Sequence, residues 1–172
     1  MLRDDVAYWT PFDTPLGTAY IASTLRGVCR LTVPDATREH FFVGLYRQFD
    51  PDQVRPHPGP NMEAIEQLEE YWRGERSRFD LRLDTAGTDF QRQTWDALLH
   101  IPYGRTITYA ELANDLGMPK GYQAVGAAIG QNPVLLLTPC HRVLGSNGEL
   151  TGFAAGAQSK RWLLRHEGAL LL

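Results

Sequence analysis

Val134-Leu135-Leu136-Leu137-Thr138-Pro139-Cys140-His141-Arg142-Val143-Leu144 is the stretch on which the reading of this chain turns. The continuous apolar run reads as a buried strand or buried extended segment. Pro139 fixes φ and removes a backbone donor, so regular pairing is expected to stop there. The chain then presents a thiol, an imidazole and a guanidinium before Val143 and Leu144 return it to the interior. A free cysteine is among the most buried residue types and by default is inert core. A proline before it and two polar residues after it are poor core material, however. A thiol is nucleophilic only as thiolate, and nearby cations or proton acceptors lower its pKa. Cys140 with His141 is therefore a candidate reactive pair.

Working outward, the helices of the second half are well marked. Thr88 with Gln91 forms a capping-box pattern ahead of Phe90, Trp95, Leu98 and Leu99, and Thr108 with Glu111 forms another that opens Tyr109 to Leu116. Gly117-Met118-Pro119-Lys120-Gly121 breaks that helix. A third, Tyr122 to Gly130, is rich in small residues: Ala124, Gly126, Ala127, Ala128 and Gly130. Helix, short glycine-containing turn, helix is the helix-turn-helix arrangement. Many such pairs are plain packing, but the small residues permit close approach to another backbone, whether core or DNA. Past the cysteine, Gly145-Ser146-Asn147-Gly148 is a turn and Thr151 to Gly156 a Gly/Ala-rich loop. Ser159 is the expected cap of a last helix with Trp162, Leu163 and Leu164 inward.

From about Phe90 to Gly168 the chain resembles the O6-alkylguanine-DNA alkyltransferases, the methylated-DNA–protein-cysteine methyltransferases. The resemblance is carried by Pro139-Cys140-His141-Arg142-Val143 and, in order, by Phe90-Gln91-Arg92-Gln93-Thr94-Trp95, Ile101-Pro102-Tyr103-Gly104, Thr108-Tyr109-Ala110-Glu111-Leu112-Ala113, Ala124-Val125-Gly126, Asn132-Pro133, Trp162-Leu163-Leu164 and His166-Glu167-Gly168. So many ordered matches are far more specific than one short motif. The resemblance implies stoichiometric, irreversible transfer of an alkyl group from guanine O6 to Cys140, with no cofactor. It implies a relay of His141, a water and Glu167 that deprotonates the thiol, Tyr109 as proton donor to the leaving guanine, and Asn132 fixing the segment between recognition helix and active site. It assigns base reading to the carbonyls of Cys140 and Val143 and the Ala154 amide, and a pocket wall to Phe153, where the family's ring is a tyrosine. Arg142, Ala124 and Gly126 join Gln123 on the substrate and DNA side. The target base must be flipped from the duplex, costing on the order of a few kcal/mol. The family opens its Arg-Ala-Val-Gly motif with an arginine that fills the gap in the stack, and here that position is Gln123.

The first half reads less sharply. Thr18 to Ala22 and Gly27 to Val33 are strand-like, forming a hairpin over residues 14–33, with Cys29 as core. Ala36 to Phe49 carries Phe41, Phe42, Leu45, Tyr46 and Phe49 at helical spacing, and Pro51 to Pro60 reads as loop. Asn61 is the expected cap of a helix reaching Arg73, with Ile65, Leu68 and Trp72 inward and Glu63, Glu66, Glu69 and Glu70 on a solvated face. Phe79 to Leu83 alternates like a strand. The expected architecture is α/β of the α+β kind, with an N-terminal domain over 1–84 built on a small antiparallel sheet. The resemblance makes that domain ribonuclease-H-like. A mostly helical, winged-helix-like C-terminal domain with the active-site loop follows over 85–172.

Charge and composition set limits. The 172 residues carry a net charge of −3, but residues 1–84 hold 10 Arg/Lys against 14 Asp/Glu, and residues 85–172 hold 7 against 6. The acidic excess lies in the first half, and the second predicts modest, salt-sensitive DNA affinity from few phosphate contacts. Two cysteines give no disulfide framework, and no Cys/His cluster has zinc-ligand spacing. No apolar run approaches a membrane span, and Met1 to Asp5 does not read as a signal peptide. A cytoplasmic monomer without metal or membrane partner, acting on double-stranded DNA that carries O6-alkylguanine, is the expectation. A lesion-binding relative without transfer chemistry is the alternative that Gln123 keeps open and Cys140 opposes. A Cys-His hydrolase is disfavoured because adjacent side chains seldom point at each other and no oxyanion motif appears.

Overall fold

The computed structural model describes residues 1–34, 36–153 and 155–170. It contains two compact units, Met1–Ala86 and Gly87–Leu172.

The first unit is built on a four-stranded sheet. Strands β1 (Ala7–Thr14), β2 (Gly17–Thr24) and β3 (Gly27–Thr32) form an antiparallel meander, and a short edge strand β4 (Val54–Pro56) pairs in parallel with β1, giving the order β3-β2-β1-β4. β1 lies outside the hairpin expected over 14–33 and carries Pro11 in its interior. It is tolerated because β4 covers only Ala7 to Trp9, so Pro11 lies on a stretch of β1 with a ladder on one side only. Helix α1 (Arg38–Tyr46) is capped by Thr37, whose hydroxyl accepts from the His40 amide, and it lays Phe41 and Leu45 on the sheet. Those two, with Ala7, Ala22, Cys29 and Phe49, make the core. Helix α2 (Met62–Trp72) buries Ala64, Gln67, Leu68 and Tyr71, and Glu63, Glu66 and Glu69 face solvent.

Three expectations for this unit are corrected. Asn61 precedes α2 without a side-chain cap bond, because its amide instead donates to the Tyr8 and His57 carbonyls and pins the preceding loop. Residues 51–60 are more than loop, holding two single-turn 3-10 helices around β4. The strand expected at Phe79 to Leu83 reduces to one bridge, Leu83 to Val28. The backbone of Asp80 is satisfied by the buried Gln67 side chain instead, donating to its carbonyl at 3.1 Å and accepting from its amide at 2.9 Å.

In the second unit α3 (Asp89–Leu98) starts at a complete Thr88–Gln91 capping box and buries Trp95 and Leu98; Leu99, beyond its last turn, is exposed. Trp95 Nε1 donates to the Ala128 carbonyl at 2.8 Å, fastening α3 to helix α5 (Tyr122–Gly130). Strand β5 (Ile107–Thr108) leads through the Thr108–Glu111 capping box directly into α4 (Tyr109–Asp115). After α5 comes a 3-10 turn, Cys140–Arg142, and then strand β6 (Val143–Leu144), parallel to β5 with Ile107 opposite Val143 and Thr108 opposite Leu144. This two-residue pairing positions the site, since it sets the cysteine turn beside the start of α4. Helix α6 (Gly156–His166) closes the unit. It begins three residues before Ser159, which is buried within it rather than capping it.

Candidate active site

The buried strand or extended segment expected before the cysteine is instead a compact double turn. The Leu137 amide donates to the Leu135 carbonyl at 2.9 Å around Leu136, a buried leucine with φ +72°. A one-residue turn of this positive-φ kind is rare, and such backbone costs on the order of 1–3 kcal/mol. A second, opposite one-residue turn follows at Pro139 (φ −81°, ψ 62°), with the Cys140 amide donating to the Thr138 carbonyl at 2.8 Å. Proline suits the second turn because the reversal needs its φ and no donor. Asn132 clamps the whole loop. Its Nδ2 donates to the Thr138 carbonyl at 2.9 Å and its Oδ1 accepts from the Val134 amide at 3.0 Å. Apolarity alone could not reveal this, because Val134 to Leu137 are as buried here as in a strand.

Cys140 emerges from that loop at the first residue of the 3-10 turn, 4% exposed. Burial pushes its thiol up to about 11; the Asn132 side chain, the Lys160 charge and the amides of Cys140 and His141 pull the other way. His141 is fully buried, with Nε2 at 2.7 Å from Glu167 Oε1. Burial would raise the Glu167 carboxyl, but its bonds to His141 and Arg142 hold it well below the usual carboxylate range. Facing an ionised carboxylate, Nε2 carries the hydrogen and Nδ1 carries the lone pair. Nδ1 is buried and has no protein hydrogen-bond partner. Burial lowers the His141 pKa first of all, Glu167 opposes this, and the charges of Arg142 and Lys160 add to the lowering. The imidazole is thus neutral near pH 7 with a vacant basic nitrogen.

Arg142 was expected on the DNA side, and the structure corrects this. Its guanidinium is buried in a forked pair with Glu167, Nε to Oε2 at 2.8 Å and Nη2 to Oε1 at 3.0 Å, while Nη1 donates to the Ile101 carbonyl at 2.7 Å. A forked, desolvated carboxylate is the partner that a planar guanidinium fits best. Glu167 follows the last turn of α6 and so ties that helix to the cysteine turn.

Tyr109, the first residue of α4, donates its hydroxyl to the Thr151 carbonyl at 3.0 Å. Burial, then the Cys140 charge, raises its pKa. Gly152 (φ +74°) is required beside it, because a Cβ there would overlap the Tyr109 hydroxyl. Phe153 is buried with its ring 6.4 Å from the His141 ring, edge on. The Val143 carbonyl accepts from Lys160 Nζ at 2.6 Å. Ala154 lies outside the described residues. Gln123 and Ala124 are exposed on α5 and Gly126 is half-buried, its Cα side facing the Tyr109 ring. An open cavity of about 720 Å³ lies between these pieces, lined among others by Tyr109, Tyr122, Gly126, Ser146, Thr151 and Gly152.

Lys160 is the residue that sequence reasoning missed. It is wholly buried on α6, with Nζ on the Val143 and Thr151 carbonyls at 2.6 and 2.8 Å and 5.9 Å from the Tyr109 ring centre. The signal was present: Lys160 falls three and four residues before Leu163 and Leu164, on the inward stripe of the helix. Among the described residues no group of three or more His, Cys, Asp or Glu could hold a metal ion, and no helix is long and apolar enough to cross a membrane.

The chain is similar to known proteins over nearly all of its length. A family model for the 6-O-methylguanine DNA methyltransferase DNA-binding domain matches residues 89–169. A methylated-DNA–protein-cysteine methyltransferase of Methanosarcina acetivorans is 38% identical over 173 residues, covering 94% of this chain and 99% of its own. The inducible methylated-DNA–protein-cysteine methyltransferase of Bacillus subtilis is 40% identical over 164 residues, covering 91% and 88%. The crystal structure of Mycobacterium tuberculosis OGT in complex with DNA superposes with a TM-score of 0.82 at 38% identity, over 94% of this chain and 93% of that one.

Proposed function

The chain belongs to the methylated-DNA–protein-cysteine methyltransferase family, and from that premise we propose that it repairs DNA by moving an alkyl group from O6 of a flipped guanine onto Cys140 Sγ, once per molecule. The observation that carries the reading is the buried His141–Glu167 pair, Nε2 and Oε1 2.7 Å apart, on the turn that Cys140 opens, with His141 Nδ1 free of any protein partner. A thiol at about 11 is almost entirely protonated at pH 7, so transfer needs a base within the site. His141 Nδ1 takes the Cys140 proton, through a water as in the family. Glu167 holds the ring in the required tautomer and steadies the imidazolium. The thiolate sulfur then forms a bond to the alkyl carbon as the carbon–O6 bond breaks. The departing purine keeps the electron pair and receives a proton from Tyr109. The thioether is stable, which makes the reaction stoichiometric.

Arg142 supports this chemistry from inside. By pairing with Glu167 it keeps that carboxylate ionised, and its charge adds to the forces that keep His141 neutral at rest. The DNA-facing surface is the exposed side of α5 around Gln123 and Ala124, within residues 85–172, and the base enters the cavity beside Tyr109. The same proposal takes the protein as a cytoplasmic monomer. Incubation with a duplex containing O6-methylguanine, followed by mass analysis of the Cys140 peptide, is the test. One added methyl on Cys140 and an equimolar loss of lesion are expected. Tight binding without a mass change would favour a lesion sensor instead.

A further inference from the structure

The outer surface of α5 is nearly flat. The helix buries Val125, Ala128 and Ile129 and exposes Tyr122, Gln123, Ala124, Ala127 and Gly130. Alanine and glycine let a second backbone come close, and from that surface Tyr122 and Gln123 project, both in the first turn. They face different ways. Tyr122 lies one turn before Gly126, and residues four apart share a face of a helix. That face borders the open cavity, which both residues line together with Tyr109, Thr151 and Gly152. Gln123 sits about 100° further round the helix, outside the cavity lining. Tyr122 is 51% exposed, and among the described residues its ring stacks on no other ring and its hydroxyl makes no hydrogen bond. A single surface tyrosine is ordinary. One that stands at the mouth of the cavity, on an otherwise flat helix, meets whatever passes into it.

We propose that Tyr122 is an aromatic wedge: its ring enters the duplex at the mouth of the cavity and stacks on the base left beside the gap when the alkylated guanine flips out. The inference rests on the proposed function, in which α5 faces the duplex and the guanine leaves it toward Tyr109. A base that leaves the stack uncovers the faces of its neighbours. An inserted apolar or aromatic side chain covers them again and holds the step open. An aromatic ring does this for any neighbouring sequence, because every base presents a π-face. The guanine moves toward the cavity, so the position it vacates adjoins the cavity mouth. The projecting side chain on that side is Tyr122, on the Gly126 face. Gln123, one residue on, brings hydrogen-bonding groups but no aromatic face. The wedge uses the ring and not the hydroxyl.

The test is a ratio of rates and an affinity. Single-turnover transfer is measured from an O6-methylguanine duplex and from free O6-methylguanine, for wild type, Tyr122→Ala and Tyr122→Phe, with melting read first. Losing one base–aromatic stack corresponds to about five- to hundredfold. The duplex-to-free-base ratio should fall by that much in Tyr122→Ala, and Tyr122→Phe should recover most of it. An unchanged ratio in Tyr122→Ala overturns the proposal, whether both rates fall together, as for a ring that walls the base pocket, or neither falls. A Tyr122→Phe protein no better than Tyr122→Ala overturns it too. Affinity for a duplex with an abasic site in place of the lesion reads the wedge without any transfer, since the gap is already open. It should drop in Tyr122→Ala more than affinity for intact duplex does, and return in Tyr122→Phe; equal affinities overturn the wedge. If wild type transfers nothing from either substrate while this affinity pattern holds, the wedge stands and the proposed function falls.

Discussion

Cys29 and Cys140 are alike by the usual measures and opposite in surroundings. Both are free and buried, 1% and 4% exposed. Burial raises both thiols, to about 12 and about 11. Cys29 sits in the first unit among Ala7, Ala22, Phe41, Leu45 and Phe49, its sulfur donating to the Ala22 carbonyl at 3.4 Å. Cys140 sits on a twice-reversed loop beside an asparagine clamp, a buried imidazole and a buried ammonium. Depth and resting pKa thus do not tell a reactive thiol from a core one. On the proposed function, what sets Cys140 apart is the base buried beside it, because that base acts when the proton has to leave.

The comparison breaks most directly at the sulfurs themselves. Cys140→Ala should abolish methyl uptake altogether while leaving binding to methylated duplex largely intact. Cys29→Ala should transfer at the wild-type rate, as read by mass of the intact protein. Uptake that persists without Cys140 would end the distinction between them.

The next largest effect is expected at Glu167. Glu167→Gln leaves the Arg142 guanidinium buried without a countercharge, a loss of about 3–5 kcal/mol of stability, and it removes the anion that steadies the His141 imidazolium. Transfer should fall well beyond what the lowered stability explains, measured in single-turnover assays at a temperature where the variant is folded. The carboxyl of Glu167 is held below its ordinary value, so the unfolded chain binds its proton first as pH falls. Its stabilisation is fully present above about pH 4.3 and is lost as pH drops below that. Denaturant midpoints at pH 6 and pH 3 should therefore differ more in wild type than in Glu167→Gln.

Asn132→Ala tests the loop that distinguishes the two cysteines. It leaves the Val134 amide without its Asn132 acceptor and takes one of two donors from the Thr138 carbonyl, which keeps the Cys140 amide, costing about 1–3 kcal/mol, and it releases the turn that aims the thiol. Denaturation should report that loss, and the transfer rate should fall while duplex affinity holds. Equal losses of rate and affinity would mean the clamp serves the whole unit and not the cysteine.

The smallest effect concerns the surface farthest from the sulfur chemistry. Gln123 is exposed at the start of α5, and an arginine stacked on bases gains roughly 0.5–2 kcal/mol from its cation. Gln123→Arg should speed transfer from duplex by up to about tenfold if flipping precedes transfer. It should leave free O6-alkylguanine nearly unaffected, since that has no stack to leave. Single-turnover rates on the two substrates decide it, and equal acceleration on both would remove Gln123 from the flipping step.

Local signals carried far in the second unit. Thr88 with Gln91 and Thr108 with Glu111 form the capping boxes their spacing announces, because a cap is closed by residues three apart. The same locality makes α4, the turn and α5 legible, and motif order alone points to the family. What sequence could not decide is whatever rests on partners distant in the chain. Pro11 fits a strand only because β4 stops short of it. Gln67 stands in for a strand opposite Asp80. Val134 to Leu137 are apolar whether they run straight or reverse twice, and it is the Asn132 clamp and the packing around Leu136 that choose reversal. Arg142 turns inward because Glu167, 25 residues away, waits there as an ionised fork. Lys160 is buried with its ammonium on the Val143 and Thr151 carbonyls, both distant in the chain. Residue types and spacing determined that a thiol, a base and a carboxylate were available. Only tertiary structure decided which of the buried charges pair, as Arg142 does with Glu167, because that depends on desolvation and distance.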